Sequence, residues 1–192
     1  MIAFSSDYLG ESQDVRQIEA TICAIARAGF SHIHWVHEWE GDYLYSPSEM
    51  DQIKHWFDEY GVLAKGVHAS EGSARKNVIG KYHYRWEAQN RKDYTSFDEY
   101  NRAAGVDLIR NRVDLCHKLG GHEIVLHMQL PYRSFAEPGF KEHYYAQVIK
   151  SFSELKDYCA DKEMRICVEN MMGTPNADQI DQFERLFAAF GP

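Results

Sequence analysis

The chain has 192 residues and a formal net charge of -8 at pH 7, so one domain with a substantial core is the expected organisation. The acidic balance argues against a general nucleic-acid-binding protein, because such proteins need cationic surface to displace counterions from phosphate. No apolar run approaches the roughly 18 residues of a membrane span, and the first seven residues lack the pattern of a signal peptide. The four cysteines form no CxxC pair. These features predict a reduced, cytoplasmic protein.

Strand and helix patterns alternate along the chain. Short apolar or alternating runs predict strands at residues 2–6, 31–37, 62–68, 123–128 and 165–169. Apolar residues at helical spacing predict helices at residues 14–28, 46–60, 96–119, 141–160 and 176–190. Five strand–helix units in this order indicate an α/β fold of the (β/α) TIM-barrel type with parallel strands. Because a complete barrel has eight units in about 250 residues, we expect a partial barrel, with residues 1–192 forming a single domain that is short at its C-terminus.

One segment interrupts this rhythm. Residues 69–97 are rich in glycine, charged and aromatic residues, and the segment is too long for an ordinary connection in a compact domain. Because the alternation resumes after it, we expect a long loop over the mouth of the barrel rather than a linker between domains.

An open sheet of five strands has two edges whose backbone groups are free to pair, and natural proteins usually cover such edges. We therefore expect a homo-oligomer, or a partner chain that covers the edges.

Three of the predicted strands end in a residue that can bind a metal. The third strand ends at His68, the fourth reaches His127, and the fifth ends at Glu169. The carboxyl ends of strands in a parallel barrel converge on one mouth, so these three side chains are expected to meet there. Two imidazoles and a carboxylate suit zinc, manganese or iron(II), or an acid–base site. A carboxylate at the end of a buried strand is costly unless it is paired, protonated or bound to metal, which favours Glu169 most strongly.

Other polar and aromatic residues lie near the same strand ends. Trp35 and His37 share one face of the second strand by alternation, and a tryptophan beside a polar strand end is typical of sugar pockets. We expect both to bind substrate, although a core position for Trp35 fits the pattern equally well. Asn170 follows Glu169 directly and is expected to donate hydrogen bonds to the substrate.

With these residues placed, the chain resembles the xylose-isomerase-like TIM-barrel superfamily of sugar and sugar-phosphate isomerases and epimerases. The resemblance extends from the first predicted strand to the end of the chain. It depends on AGFSHIH at 28–34, VHAS at 67–70, RAAGVDLIRNR at 102–112, LGGHEIVLH at 119–127 and VEN at 168–170.

The resemblance implies a mechanism. The glutamate of the fifth strand, matching Glu169, would bind a divalent metal (manganese, zinc, magnesium or cobalt) and act as a proton-transfer base through an enediolate. His68 and His127 would line the pocket, bind substrate or bind the metal. The superfamily takes its other ligands from strands six to eight, which lie beyond the five units found here. The predicted partner is a small sugar or sugar phosphate, with no nucleic acid and no membrane.

Two other functions remain open from the sequence. A zinc-dependent abasic-site endonuclease shares this barrel and uses histidines on strands three and four with a glutamate on strand five, which matches His68, His127 and Glu169. The second alternative is a non-catalytic sugar-binding or assembly module. The acidic balance and the tryptophans of the second strand favour the sugar enzyme.

Overall fold

The fold alternates strands and helices, as the sequence predicts. A computed structural model describes residues 2–7, 15–38, 42–69, 92–128 and 130–191. The strands are β1 (Ala3–Ser5), β2 (His32–Trp35), β3 (Leu63–Ala69), β4 (Glu123–His127) and β5 (Arg165–Glu169). The α-helices are α1 (Val15–Arg27), α2 (Pro47–Tyr60), α3 (Glu99–Lys118), α4 (Phe140–Ala160) and α5 (Asn176–Phe190). A short 3-10 helix, Ser134–Ala136, precedes α4.

The five strands form one sheet in the order β1-β2-β3-β4-β5. All four neighbouring pairs of strands are parallel. Each pair is joined by a connection that contains an α-helix, as is usual for parallel strands. The prediction of parallel (β/α) units of the TIM-barrel type is therefore confirmed, with five units in the described part of the chain.

The sheet has two faces of opposite character. The first, which we call the helix face, carries fully buried apolar side chains such as Trp35, Val67 and Ile124. The ring of Trp35 lies 5.9 Å from that of Phe57 on α2, which shows that this face packs against the helices. The opposite face, which we call the polar face, carries His34, His68, His127 and Glu169.

A β-bulge determines which face His68 occupies. The register between β2 and β3 shifts between Ile33 and His34, which leaves Lys65 as an extra residue in β3. After the bulge, His34 pairs with Gly66, so Gly66 and His68 share the side of the sheet that His34 occupies. Side chains alternate along a regular strand, and Ala64 lies on the helix face with its partner Ile33. If Lys65 were paired in regular register, His68, four residues after Ala64, would therefore point toward the helices. Bulges near functional sites often re-aim side chains in this way.

Local sequence signals set both ends of α2. Ser46 and Glu49 form a capping box, in which each side chain accepts a hydrogen bond from the other residue's backbone N–H, and Pro47 occupies the first turn. At the other end, Gly61 adopts the left-handed conformation with φ of 68°, which glycine adopts at little cost. These signals place β3 directly after α2.

The predicted loop over 69–97 is described only in its last part, because residues 70–91 lie outside the described residues. The part that leads into α3 is tightly held. The buried carboxylate of Asp93 accepts hydrogen bonds of 2.8 Å from both the backbone N–H and the hydroxyl of Thr95. A Cβ at Gly105 of α3 would lie 2.5 Å from the carbonyl carbon of Asp93, so only glycine allows the helix to approach so closely.

Helix length and composition bear on membrane insertion. None of the helices in the described segments is both long enough and apolar enough to span a bilayer.

Candidate metal centre

His68, His127 and Glu169 meet at the carboxyl ends of β3, β4 and β5. Nε2 of His68 lies 3.2 Å from Nε2 of His127, which in turn lies 2.9 Å from Oε2 of Glu169. The third distance, from Nε2 of His68 to Oε2 of Glu169, is 3.8 Å. The structure thus brings together the three residues that the strand ends predict, and they form a possible metal-binding group.

Strand register explains why these side chains converge. His127 pairs directly with Glu169 across β4 and β5. His68 pairs with Val125, which lies two residues before His127 and therefore on the same side of β4. All three side chains consequently project from the polar face.

A divalent ion can contact all three atoms at once. The three distances define a triangle whose corners lie about 2 Å from a common point, and zinc bonds to imidazole nitrogen and carboxylate oxygen are about 2.0–2.2 Å long. Two imidazoles and a carboxylate are also donors that several divalent metals accept. The donor set and its spacing therefore fit a divalent metal.

The exposure of Glu169 differs from the sequence-based expectation. Its side chain is 48 % exposed, and Arg165 and Cys167 on the same side of β5 are exposed as well. The premise of a buried strand is therefore wrong, because alternate residues of β5 lie on the polar face. The geometry of the cluster, and not the cost of burying a charge, supports a functional role for Glu169.

His34 of β2 extends the cluster and was missed by the sequence analysis. Its Nε2 lies 2.6 Å from Nδ1 of His68, and the two rings meet edge to face with centroids 4.8 Å apart. Burial lowers the pKa of His34, and the carboxylates of Asp7 and Glu169 partly offset this effect. The signal in the sequence was the alternation of side chains along the second strand, which places His34 on the face of the sheet opposite to Trp35.

The other predicted site residues lie outside this hydrogen-bonded cluster. Trp35 is fully buried on the helix face, where its indole N–H donates a 3.2 Å hydrogen bond to the hydroxyl of Tyr45. His37 is also buried, with its ring 4.7 Å from that of Trp35, and burial lowers its pKa. Asn170 is exposed next to Glu169. The roles of Trp35, His37 and Asn170 in binding substrate remain predictions.

The segment that follows β2 is held in place by α3. The side-chain amide of Asn111 donates to the carbonyl of Tyr45 and its oxygen accepts from the Tyr45 N–H, both at 2.9 Å. The next residue, Arg112, is fully buried and donates to the carbonyls of Glu38 and Tyr43 at 3.0 and 2.9 Å. This helix thereby anchors Glu38 after β2 and both Tyr43 and Tyr45 before α2.

Together, the parallel β/α units and the His/His/Glu cluster define a barrel-type protein with a candidate metal centre at its strand ends. Residues 22–192 match the family described as the xylose isomerase-like TIM barrel, and the chain belongs to this family. The resemblance drawn from the sequence motifs is therefore confirmed.

Known proteins similar to this chain include sugar epimerases. An uncharacterized protein of Sinorhizobium fredii, y4fM, is 25% identical over 177 residues, which cover 90% of this chain and 56% of that protein. The crystal structure of D-allulose 3-epimerase from Methylomonas sp. in complex with D-allulose has a TM-score of 0.62 at 20% identity, covering 96% of this chain and 58% of that one. A xylose isomerase-like TIM barrel protein from Mycobacterium smegmatis, in complex with magnesium, has a TM-score of 0.59 at 14% identity, covering 99% and 62%.

These likenesses establish the fold. The chain spans little more than half the length of the relatives it matches, so the activity of a whole relative reaches this chain only as a proposal.

Proposed function

We propose that the protein is a metal-dependent sugar or sugar-phosphate isomerase or epimerase. The observation that carries the proposal is the convergence of His68, His127 and Glu169 with a spacing that fits one divalent ion. Family membership and the likeness to a D-allulose 3-epimerase support the choice of a sugar as substrate. The likeness to a magnesium-bound barrel supports a divalent cofactor, drawn from manganese, zinc, magnesium and cobalt.

The residues of the cluster have separate tasks in this proposal. His68 and His127 would hold the ion through their Nε2 atoms, and Glu169 would complete the set through a carboxylate oxygen. When bound, the ion would supply polarisation of the substrate carbonyl and a positive charge near the oxygen on which negative charge develops. Glu169 would take the proton from the carbon next to that carbonyl, which gives an enediolate. In an isomerase it would return the proton to the neighbouring carbon, whereas an epimerase needs a second acid on the opposite face of the enediolate to protonate the same carbon. The exposure of Glu169 gives a sugar access to this carboxylate.

The first test is the metal content of the purified protein by elemental analysis. We expect stoichiometric divalent metal in the wild type and its loss in Glu169→Gln, which keeps the shape of the side chain and removes its charge. Glu184→Gln on α5 is the matched control, because Glu184 is an exposed carboxylate away from the strand ends. Absence of metal from the wild type after dialysis against each of the four metals would refute the proposal.

Activity is then measured on a panel of aldoses and ketoses, free and phosphorylated. The metal-loaded wild type is expected to exchange a substrate C–H proton with solvent deuterium, and Glu169→Gln is expected to lose this exchange. Metal binding with no turnover and no exchange on any sugar would favour the non-catalytic sugar-binding or assembly module.

A zinc-dependent abasic-site endonuclease is the second candidate. The same placement of two histidines and a glutamate on β3, β4 and β5 favours it. Such an enzyme should bind duplex DNA at low salt with a steep salt dependence and should cut at an abasic site. The net charge of -8 works against this binding, so we expect no DNA complex at 50 mM salt.

The oligomeric state is also proposed rather than known. Within the described residues, β1 pairs only with β2 and β5 pairs only with β4. A homo-oligomer or a partner chain that covers these two strands remains our prediction, and light scattering across a range of protein concentrations tests it.

A further inference from the structure

We propose that His34 is a positioning residue of the metal centre: it accepts a hydrogen bond from Nδ1–H of His68 and thereby fixes Nε2 of His68 as the metal-binding nitrogen. The proposal rests on the proposed metal function, but concerns a residue outside the ligand set. The contact that carries it is the 2.6 Å distance between Nε2 of His34 and Nδ1 of His68.

The direction of this hydrogen bond decides whether His68 can bind a metal. One nitrogen of the pair must donate and the other must accept, and a neutral imidazole carries its hydrogen on only one of its two nitrogens. If Nδ1 of His68 donates, the lone pair of its Nε2 faces His127 and Glu169. If Nδ1 accepts instead, a neutral His68 carries the hydrogen on Nε2, 3.2 Å from His127, where a cation would have to bind.

The bulge in β3 brings His34 and His68 together. It leaves Lys65 as an extra residue, so that Gly66 pairs with His34 and His68 lies on the same face as His34. Gly66 lets β3 approach β4 closely at this point, because a Cβ there would lie 2.8 Å from the carbonyl oxygen of Glu123.

The arrangement matches a general property of metal-binding histidines. Their second ring nitrogen usually donates to a carboxylate, a backbone carbonyl or a water, and removing that partner typically weakens metal binding 10- to 100-fold. In this protein the acceptor is another imidazole, which accepts through Nε2 when its own hydrogen is on Nδ1.

The test measures the dissociation constant of Zn²⁺ by competition with a chromophoric chelator. His34→Leu removes the acceptor at similar size and is expected to weaken binding about 10- to 100-fold. His34→Gln places an amide oxygen at about the reach of Nε2 and is expected to stay within about threefold of the wild type. His32→Leu is the matched control, because His32 is also half-buried in β2 but contacts Ser31, at 2.9 Å, and it should bind Zn²⁺ like the wild type.

Equal Zn²⁺ affinity in the wild type and His34→Leu overturns the proposal, as does equal weakening in His34→Leu and His34→Gln. A second measurement needs no variant and no metal: ¹⁵N NMR of the imidazoles in the metal-free wild type reports which nitrogen of His68 carries the hydrogen. Hydrogen on Nδ1 supports the proposal and hydrogen on Nε2 overturns it. A wild type that binds none of zinc, manganese, magnesium and cobalt refutes the proposed function, and the NMR result then decides separately whether His34 fixes the tautomer of His68.

Discussion

Arg112 is a buried cation whose partners in the described part of the chain are carbonyl and amide oxygens, and its replacement tests how the segment after β2 is held. Its guanidinium is fully buried on α3 and lies 4.7 Å from the centroid of the Tyr45 ring. It donates to the carbonyls of Glu38 and Tyr43 and to the side chain of Asn111. Burial lowers the pKa of Arg112, because the charged guanidinium loses its hydration.

Two opposing effects set the magnitude for Arg112→Leu. Hydrogen bonds to a charged group contribute about 1.5–3 kcal/mol each, so losing the two carbonyl contacts costs about 3–6 kcal/mol. Removing the buried charge returns part of its desolvation cost. We expect a net loss of about 2–4 kcal/mol in the free energy of unfolding. Arg112→Lys is expected to lose at least as much, because a lysine keeps the desolvation cost and loses the planar fork.

Urea denaturation followed by tryptophan fluorescence measures this change. With a slope of about 2 kcal/mol per molar urea, a loss of 3 kcal/mol lowers the midpoint by about 1.5 M. Arg110→Leu is the matched control. Arg110 lies two positions before Arg112 on the same helix, but its side chain is 34 % exposed and pairs with Asp107. Exposed ion pairs contribute about 1 kcal/mol or less. A midpoint for Arg112→Leu equal to that of Arg110→Leu would refute the reasoning.

Two further predictions concern pH and close packing. Burial lowers the pKa of His34 and His37 below the usual 6.5, so protonation of either ring favours the unfolded chain. The free energy of unfolding should therefore be at its full value above pH 6.5 and fall as the pH drops below it. The loss is up to about 1.4 kcal/mol per pH unit for each group. Urea midpoints at pH 7.5 and 5.5 measure this, and His37→Gln should reduce the difference; a midpoint independent of pH would contradict it. Gly105→Ala would press a methyl group into the backbone of Asp93, and we expect a loss of about 3 kcal/mol or more. In Gly139→Ala, where nothing lies within 4 Å of the new Cβ, only the positive φ should matter, at about 1–2 kcal/mol; equal melting temperatures for the two variants would contradict the packing argument.

The sequence predicted the order of elements well because the patterns that determine it are local. Period-2 and helical spacing identified every strand and α-helix that the structure describes, and the predicted helix start at Ser46 is the N-cap of α2. The short 3-10 helix Ser134–Ala136 was not predicted. The sequence also predicted that His68, His127 and Glu169 would meet, since parallel strands bring their carboxyl ends to one edge. These inferences needed only neighbouring residues and the topology of β/α units.

The positions that the sequence did not predict depend on contacts between distant segments. Arg112 lies on a helix with polar neighbours, and only its contact with the carbonyls of the chain after β2 shows that it is buried. Glu169 was expected in a buried strand, and only the placement of β5 shows that it is half exposed.

What the sequence by itself determined is the set of strands, the helices between them and the three polar strand ends. Tertiary structure decided which face each side chain takes: the bulge at Lys65 reverses the alternation of β3 and turns His68 toward the polar face. It also decided that His34 joins the cluster, because its contact with His68 exists only once β2 lies against β3. Alternation is a property of one strand, whereas register and side-chain contacts arise between strands that are distant in sequence.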